Sequence, residues 1–212
     1  MKTKTFHGVN FKVYEDTKID GDFIKLDEAV YFENDIEITG NLKVKYLKAE
    51  KSIKVGGNYQ VEKFDEVGRW QKVGGLQKVG EWQKVGGSQE VGWSQKVGGL
   101  QEVGEWQEVG EWQKVGGSQE VGGDLKAGSA RISLYSKVGG KYEVKGKVFI
   151  GVCEWKETTD GEETLTCGRF VSGDIKYGKV KETGLREKQQ CDLSGKEVEV
   201  KIDGKSYKAI IQ

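Results

Sequence analysis

Few side chains in this sequence are equipped for chemistry, and their spacing argues against most reactions. His7 is the only histidine, so a Ser-His-Asp or Cys-His mechanism would rest on one residue beside the N-terminus. Cys153, Cys167 and Cys191 have no CxxC spacing, and with a single histidine they do not compose a zinc set. The stretch from Gly173 to Val180, GDIKYGKV, matches GxxxxGK but has Val180 where a phosphate loop needs Ser or Thr to hold magnesium. Ile175 and Tyr177 alternate there as in a strand. No EF-hand loop and no N-x-[S/T] sequon occurs. No catalytic residue, metal or cofactor is therefore expected, and the chain reads as non-enzymatic. What does recur is indole. Trp70, Trp82, Trp93, Trp106 and Trp112 form the candidate binding face, since aromatic faces stack on sugar rings and exposed apolar rows mark contact surfaces.

The element that must position these rings is a six-residue repeat. Between residues 67 and 122 a unit V-G-x-x-Q-[K/E] recurs without a slip, with Val67, Val73, Val79 and their successors to Val121 each followed by Gly. VGEWQKVGGSQEVG occurs identically at 79–92 and 109–122, the mark of internal duplication. Upstream, apolar residues come in pairs separated by one residue: Ile24/Leu26, Val30/Phe32, Ile36/Ile38, Leu42/Val44, Leu47/Ala49, Ile53/Val55 and Tyr59/Val61. Asp65/Val67 joins this series to the perfect repeat in the same phase, so one array runs from about 24 to Ala127.

A period of six is neither the 3.6 of a helix nor the seven of a coiled coil, and a glycine in each unit would cost a helix about 1 kcal/mol apiece. Six is three strand periods, so a short strand plus a corner repeats with side-chain facing preserved. This is the signature of a β-solenoid whose coils bury their apolar faces only against one another. The array is expected to form an all-β, triangular, single-stranded β-helix with three units, eighteen residues, per coil. An offset of twenty-four also aligns Trp82 with Trp106 and opposes Lys78 to Glu102. At eighteen the charges are mixed, with Lys72 over Glu90 but Lys78 over Lys96.

Facing follows from the upstream pairs, in which both inward positions are apolar. In the repeat the second stays Val and the first becomes Gln71, Gln77 and so on to Gln119. The glutamines therefore point inward, where amides are costly unless they bond one another in ladders along the axis. Alternation then turns Trp70, Leu76, Trp82, Leu100, Trp106 and Trp112 outward, unless a corner flips the parity. The Gly after each Val supplies a corner of positive φ or close backbone approach.

The flanks differ. Residues 1–22 read as an N-terminal cap, 23–151 as the solenoid, and 152–212 as an antiparallel β-hairpin cap. In the last segment CEWKETTDGEETLTC is expected to turn at Thr159-Asp160-Gly161 and set Cys153 opposite Cys167, as a disulfide in an oxidising compartment or two thiols in the cytosol. FVSGDIKYGKV and EVEVKIDGKSYKAIIQ carry further hairpin signals. Thirty-four basic against thirty-four acidic residues, intermixed, give no net charge, so no nucleic-acid partner is expected. The opening MKTKTFHGVN lacks a signal-peptide core and no apolar run reaches membrane-spanning length, so a cytoplasmic location without a membrane span is expected.

The pattern DIEITGNLKVKYLKAEKSIKVGGNYQ followed by V-G-x-x-Q-x units resembles the bactofilins, bacterial cytoskeletal proteins whose β-helical domain polymerises end to end. The resemblance spans about residues 24–150 and implies a structural protein that associates with itself as a homo-oligomer or filament. The chain departs from that family in its inward Gln, its Trp content and its C-terminal extension. Hexapeptide acyltransferases share Val-Gly but need a small residue where this repeat has Gln, and a histidine within the coils. The alternative reading is a module that binds a glycan or a partner protein through the Trp-rich face.

Overall fold

The computed structural model describes residues 2–155, 164–175, 179–183, 197–202 and 205–210. Among these there is no helix; the regular elements are strands. The chain winds as a β-solenoid in which each coil contributes one short strand to each of three parallel faces. Face A runs through Ile53–Val55, Gln71–Val73 and Gln89–Val91 to Gln107. Face B runs through Tyr59–Val61, Gln77–Val79 and Ser94–Val97 to Gln113. Face C runs through Phe64–Val67, Trp82–Val85, Leu100–Val103 and Ser118–Val121. Residue 71 pairs with 89 and 77 with 95, so the regular coil is eighteen residues long (89 − 71 = 18), and the offset of twenty-four does not occur.

The lumen is built by the paired positions. Val30/Phe32 through Tyr59/Val61 are buried as the alternation requires, and the repeat's Val column continues them at 0–2% exposure. The first pair departs from the expectation. Phe23, not Ile24 or Leu26, points in, because Phe23 aligns with Leu42 and Ile24 with outward Lys43. Ile24 and Leu26 are left half-exposed.

The glycine after each valine is there for space. A Cβ on Gly98 would lie 1.7 Å from the carbonyl oxygen of Gly80, and one on Gly80 equally close to that of Glu62. Neither has a positive φ; each of these two corners passes directly over the carbonyl of the corner below, so a Cβ there would force the backbone to move.

At the N-terminal end Thr3–Phe6 and Val9–Tyr14 form an antiparallel hairpin. His7 and Gly8 take φ of 49° and 77° at its tip, as a two-residue hairpin turn demands. The hairpin folds over the outside of face C's corner: Phe6 stacks on Tyr31 at 5.3 Å and Phe11 packs on Phe64 at 5.8 Å. His7, edge-on to Phe64 at 6.2 Å, is a turn residue.

The C-terminal part corrects the sequence reading. Tyr142–Trp155 and Thr164–Ile175 pair in parallel, as do Thr164–Ile175 and Lys179–Glu182. The solenoid therefore continues past residue 151 to at least Glu182. Cys153 sits opposite Ile175 and Cys167 opposite Val144, so the expected antiparallel hairpin joining the two cysteines is not formed; Thr159–Gly161 lies outside the described residues. The parallel continuation lets Leu165 and Cys167 enter the lumen, an apolar gain that a two-stranded flap would forgo. Cys167 is a buried free thiol, pushed up to about 11 by that burial and by nearby Glu182. An antiparallel hairpin does form further on, between Glu197–Ile202 and Lys205–Ile210, as a separate two-stranded sheet.

Candidate functional site

The tryptophans are outward but not in one row. Trp70 and Trp106 each precede a face A glutamine, two coils apart with Ser88 between them. Trp82 lies on face C between Phe64 and Leu100, and packs on the Phe64 ring at 6.1 Å. Trp93 stands at the corner entering face B, and Trp112 pairs with Ser94 on the same face. Eighteen residues per coil thus divide the five rings among three faces. Trp70, Trp93, Trp106 and Trp112 are 42–59% exposed, whereas Trp82 is partly covered. Where a ring overhangs a small neighbour a groove opens. One of about 630 Å³ lies beside Trp106, with Glu105, Glu108, Asp124 and Lys126 around it. Another of about 420 Å³ lies beside Trp70, next to Asp35, Lys51, Ser52 and Lys54.

Inside, the nine glutamines from Gln71 to Gln119 are buried at 0–2% exposure and bond one another as the inward assignment requires. Gln89 Nε2 donates to Gln71 Oε1 at 2.6 Å and Gln95 Nε2 to Gln77 Oε1 at 2.9 Å, each one coil back. The lumen is also crossed between faces. Gln95 Nε2 reaches Gln89 Oε1 at 2.9 Å, six residues back, and Gln107 Nε2 reaches Gln95 Oε1 at 2.9 Å, twelve back. The bonds run in one sense, from the Nε2 of a later glutamine to the Oε1 of an earlier one.

A carboxylate heads this column. Asp65, wholly buried, accepts from Tyr59 Oη on one oxygen and from Gln71 and Gln83 Nε2 at 3.0 and 2.9 Å on the other. Burial pushes its carboxyl up to about 6, although all three donors pull the other way. Burial also holds the Tyr59 hydroxyl well above its usual range, so it stays a donor. At the far end Ser136 Oγ donates to Gln119 Oε1 at 3.4 Å, while Gln113 Oε1, opposite Ala130, has no hydrogen-bond partner among the described residues. In the sequence Asp65 appears only as an inward residue in phase with the repeat. The signal for its role was a lone charge at a lumen position six residues before the first Gln.

The outward residues between the inward pairs carry the charge. On face A, Lys54 bonds Glu37 and Lys72 bonds Glu90, at 2.7 and 2.8 Å. On face C, Lys48 bonds Glu66, Lys84 bonds Glu102 and Lys137 bonds Glu120, at 2.6, 3.2 and 3.2 Å. Face B differs. Lys78 lies opposite Lys96, Lys96 opposite Lys114, and Lys114 opposite Arg131. Among the described residues no group of three or more His, Cys, Asp or Glu is placed to hold a metal ion, and no helix is long and apolar enough to cross a membrane.

These features define the chain as a β-solenoid with an amide-filled lumen. No protein-family model matches it, and neither does any curated protein or solved structure.

Proposed function

We propose that this protein is a non-catalytic structural solenoid that associates with itself end to end as a scaffold or filament component, in the manner of the bactofilins it resembles. The observation that supports this reading is the N-terminal end of the rod. Strand Phe23–Phe32 is covered by Val9–Tyr14 only along Val30–Phe32, and Lys18–Ile19 pairs only inward, with Glu37–Ile38. Among the described residues, Lys18–Ile19 and Phe23–Lys25 thus present free parallel-strand edges, with Ile24 and Leu26 half-exposed beside them. Open strand edges template pairing with another chain; Lys18 on this edge is taken up by Asp20, while Ile24 and Leu26 supply the exposed apolar surface that a lysine at either position would blunt.

The test is sedimentation velocity with negative-stain electron microscopy over a range of protein concentrations. The expected result is elongated particles that lengthen with concentration and shrink to monomers in an Ile24→Lys/Leu26→Lys variant whose circular dichroism is unchanged. A strict monomer at every concentration and salt would overturn the proposal, as would assembly indifferent to that variant.

A further inference from the structure

We propose that face B is a binding surface for a linear acidic polysaccharide, an inference independent of end-to-end assembly. Lys78, Lys96, Lys114 and Arg131 stack in direct cross-strand register, at the ~4.8 Å interval of adjacent strands. All four are exposed. Like charges placed directly opposite destabilise a sheet; on the two other faces they meet only in twos, Lys54–Lys72, Glu90–Glu108 and Glu102–Glu120, and Lys54, Lys72 and Lys84 there each close a salt bridge with a neighbouring Glu. None of the four face B cations has a carboxylate within bridging distance among the described residues; Arg131 lies instead over the Phe149 ring at 5.8 Å. A run of four uncompensated cations on a chain of zero net charge calls for an anion from outside.

The margins of the row narrow the class of anion. On one side the corners are Gly98-Gly99 and Gly116-Gly117, so nothing projects beside Lys96 and Lys114. On the other stand Leu76, Trp93 and Trp112, exposed by 47, 59 and 42%. The acids at these margins are Glu111, beside Trp112, and Glu81, which is paired with Lys63. A straight file of cations with indoles along one side suits an extended chain bearing one carboxylate per sugar. Its residue length is close to the strand interval, and the C–H faces of its rings stack on indole. Duplex phosphates wind away from a straight file, and a stretched nucleotide is longer than the interval. A second copy of the chain is less complementary, because the longest acidic runs in the outward columns of faces A and C are Glu90-Glu108 and Glu102-Glu120.

Binding of polygalacturonate, neutral dextran and oligo-dT is measured by isothermal titration calorimetry at low and physiological salt, with tryptophan emission followed in parallel. The wild-type chain is expected to bind polygalacturonate with an affinity that falls with salt, to ignore dextran and to bind oligo-dT more weakly. Lys78→Gln/Lys96→Gln/Lys114→Gln should weaken polygalacturonate binding about tenfold or more. The control Lys54→Gln/Lys72→Gln/Lys84→Gln, which removes the same charge from the other faces, should change it by less than about twofold. Trp112→Ala should weaken the glycan and reduce the emission change. Equal losses in the two triple variants, oligo-dT binding as tight as polygalacturonate, or no binding at low salt would each overturn the proposal.

Discussion

Replacing Asp65 by Asn should make the protein more stable at neutral pH, by an amount that vanishes in acid. The carboxyl is wholly buried and pushed up to about 6 from an ordinary 3.8. At about 1.4 kcal/mol per pH unit the difference corresponds to ~3 kcal/mol. The sign follows from proton binding. Between pH 4 and 6 the folded chain holds a proton on Asp65 that the unfolded chain has released, so this residue's contribution falls as pH rises through that window. Below it both states are protonated and nothing is lost. Asparagine keeps the shape: its Oδ1 can accept from Gln71 and Gln83, and its amide, replacing the oxygen that Tyr59 Oη donates to, turns that hydroxyl into an acceptor. Urea melts of wild type and Asp65→Asn from pH 4 to 7.5 are the assay. Only their difference is read, because Glu28 and Glu37 are held low by hydrogen bonds from Lys12 and Lys54 and lose their stabilisation on acidification in both proteins. The difference should rise from near zero at pH 4 towards ~3 kcal/mol at pH 7. A variant less stable than wild type at pH 7, or a difference without pH dependence, would refute the reasoning and show that the ionised carboxylate is net favourable where it sits.

Two further substitutions test the corners and the end of the column. Gly98→Ala places a Cβ 1.7 Å from the Gly80 carbonyl oxygen, so backbone must move and a loss of about 3 kcal/mol is expected in thermal melts; an unchanged melting temperature would rule out the close-approach account. Ala130→Ser puts a hydroxyl opposite Gln113, just as Ser136 stands opposite Gln119. It should supply the missing donor to Gln113 Oε1 and add about 1 kcal/mol, with no gain counting against that assignment.

Much of this fold was legible because a period of six preserves facing. The in-phase pairs upstream declared which of Gln and Trp turned in, and the structure agrees at every glutamine from 71 to 119. Three things were hidden for physical reasons. Ile24 and Leu26 alternate like their neighbours, but the pairing of Phe23 with Leu42 shifts the facing by one residue, and alternation cannot reveal a shift at the end of an array. Cys153 and Cys167 flank a good turn sequence, yet local turn signals do not weigh the lumen surface that Leu165 and Cys167 bury by pairing in parallel. The tryptophans looked like one face because their spacing was read along the chain. Division by eighteen sends Trp70, Trp82 and Trp93 to different faces and gathers Lys78, Lys96 and Lys114 on one, where a seventeen-residue coil adds Arg131.

The direction of the glutamine column explains where the repeat begins and ends. Amides aligned head to tail in a closed lumen satisfy one another everywhere except at the two ends, where donors are left over on one side and acceptors on the other. A carboxylate can only accept, so Asp65 meets the free donors and fixes the sense of every bond above it; the Ser136 hydroxyl donates to an oxygen at the other end. Between these ends each added glutamine brings donors and acceptor together, so the column's length is unconstrained by hydrogen bonding. Duplicating residues 79–96, one full coil, should therefore leave a cooperative unfolding transition at or above the wild-type temperature, as nearest-neighbour coupling in a solenoid predicts. Inserting half a coil, an odd number of residues, reverses the facing of everything that follows, turns Val and Gln outward and should abolish cooperative unfolding. If the full-coil insertion is as damaging as the half-coil one, the stability resides in the particular coils present and not in the column they share.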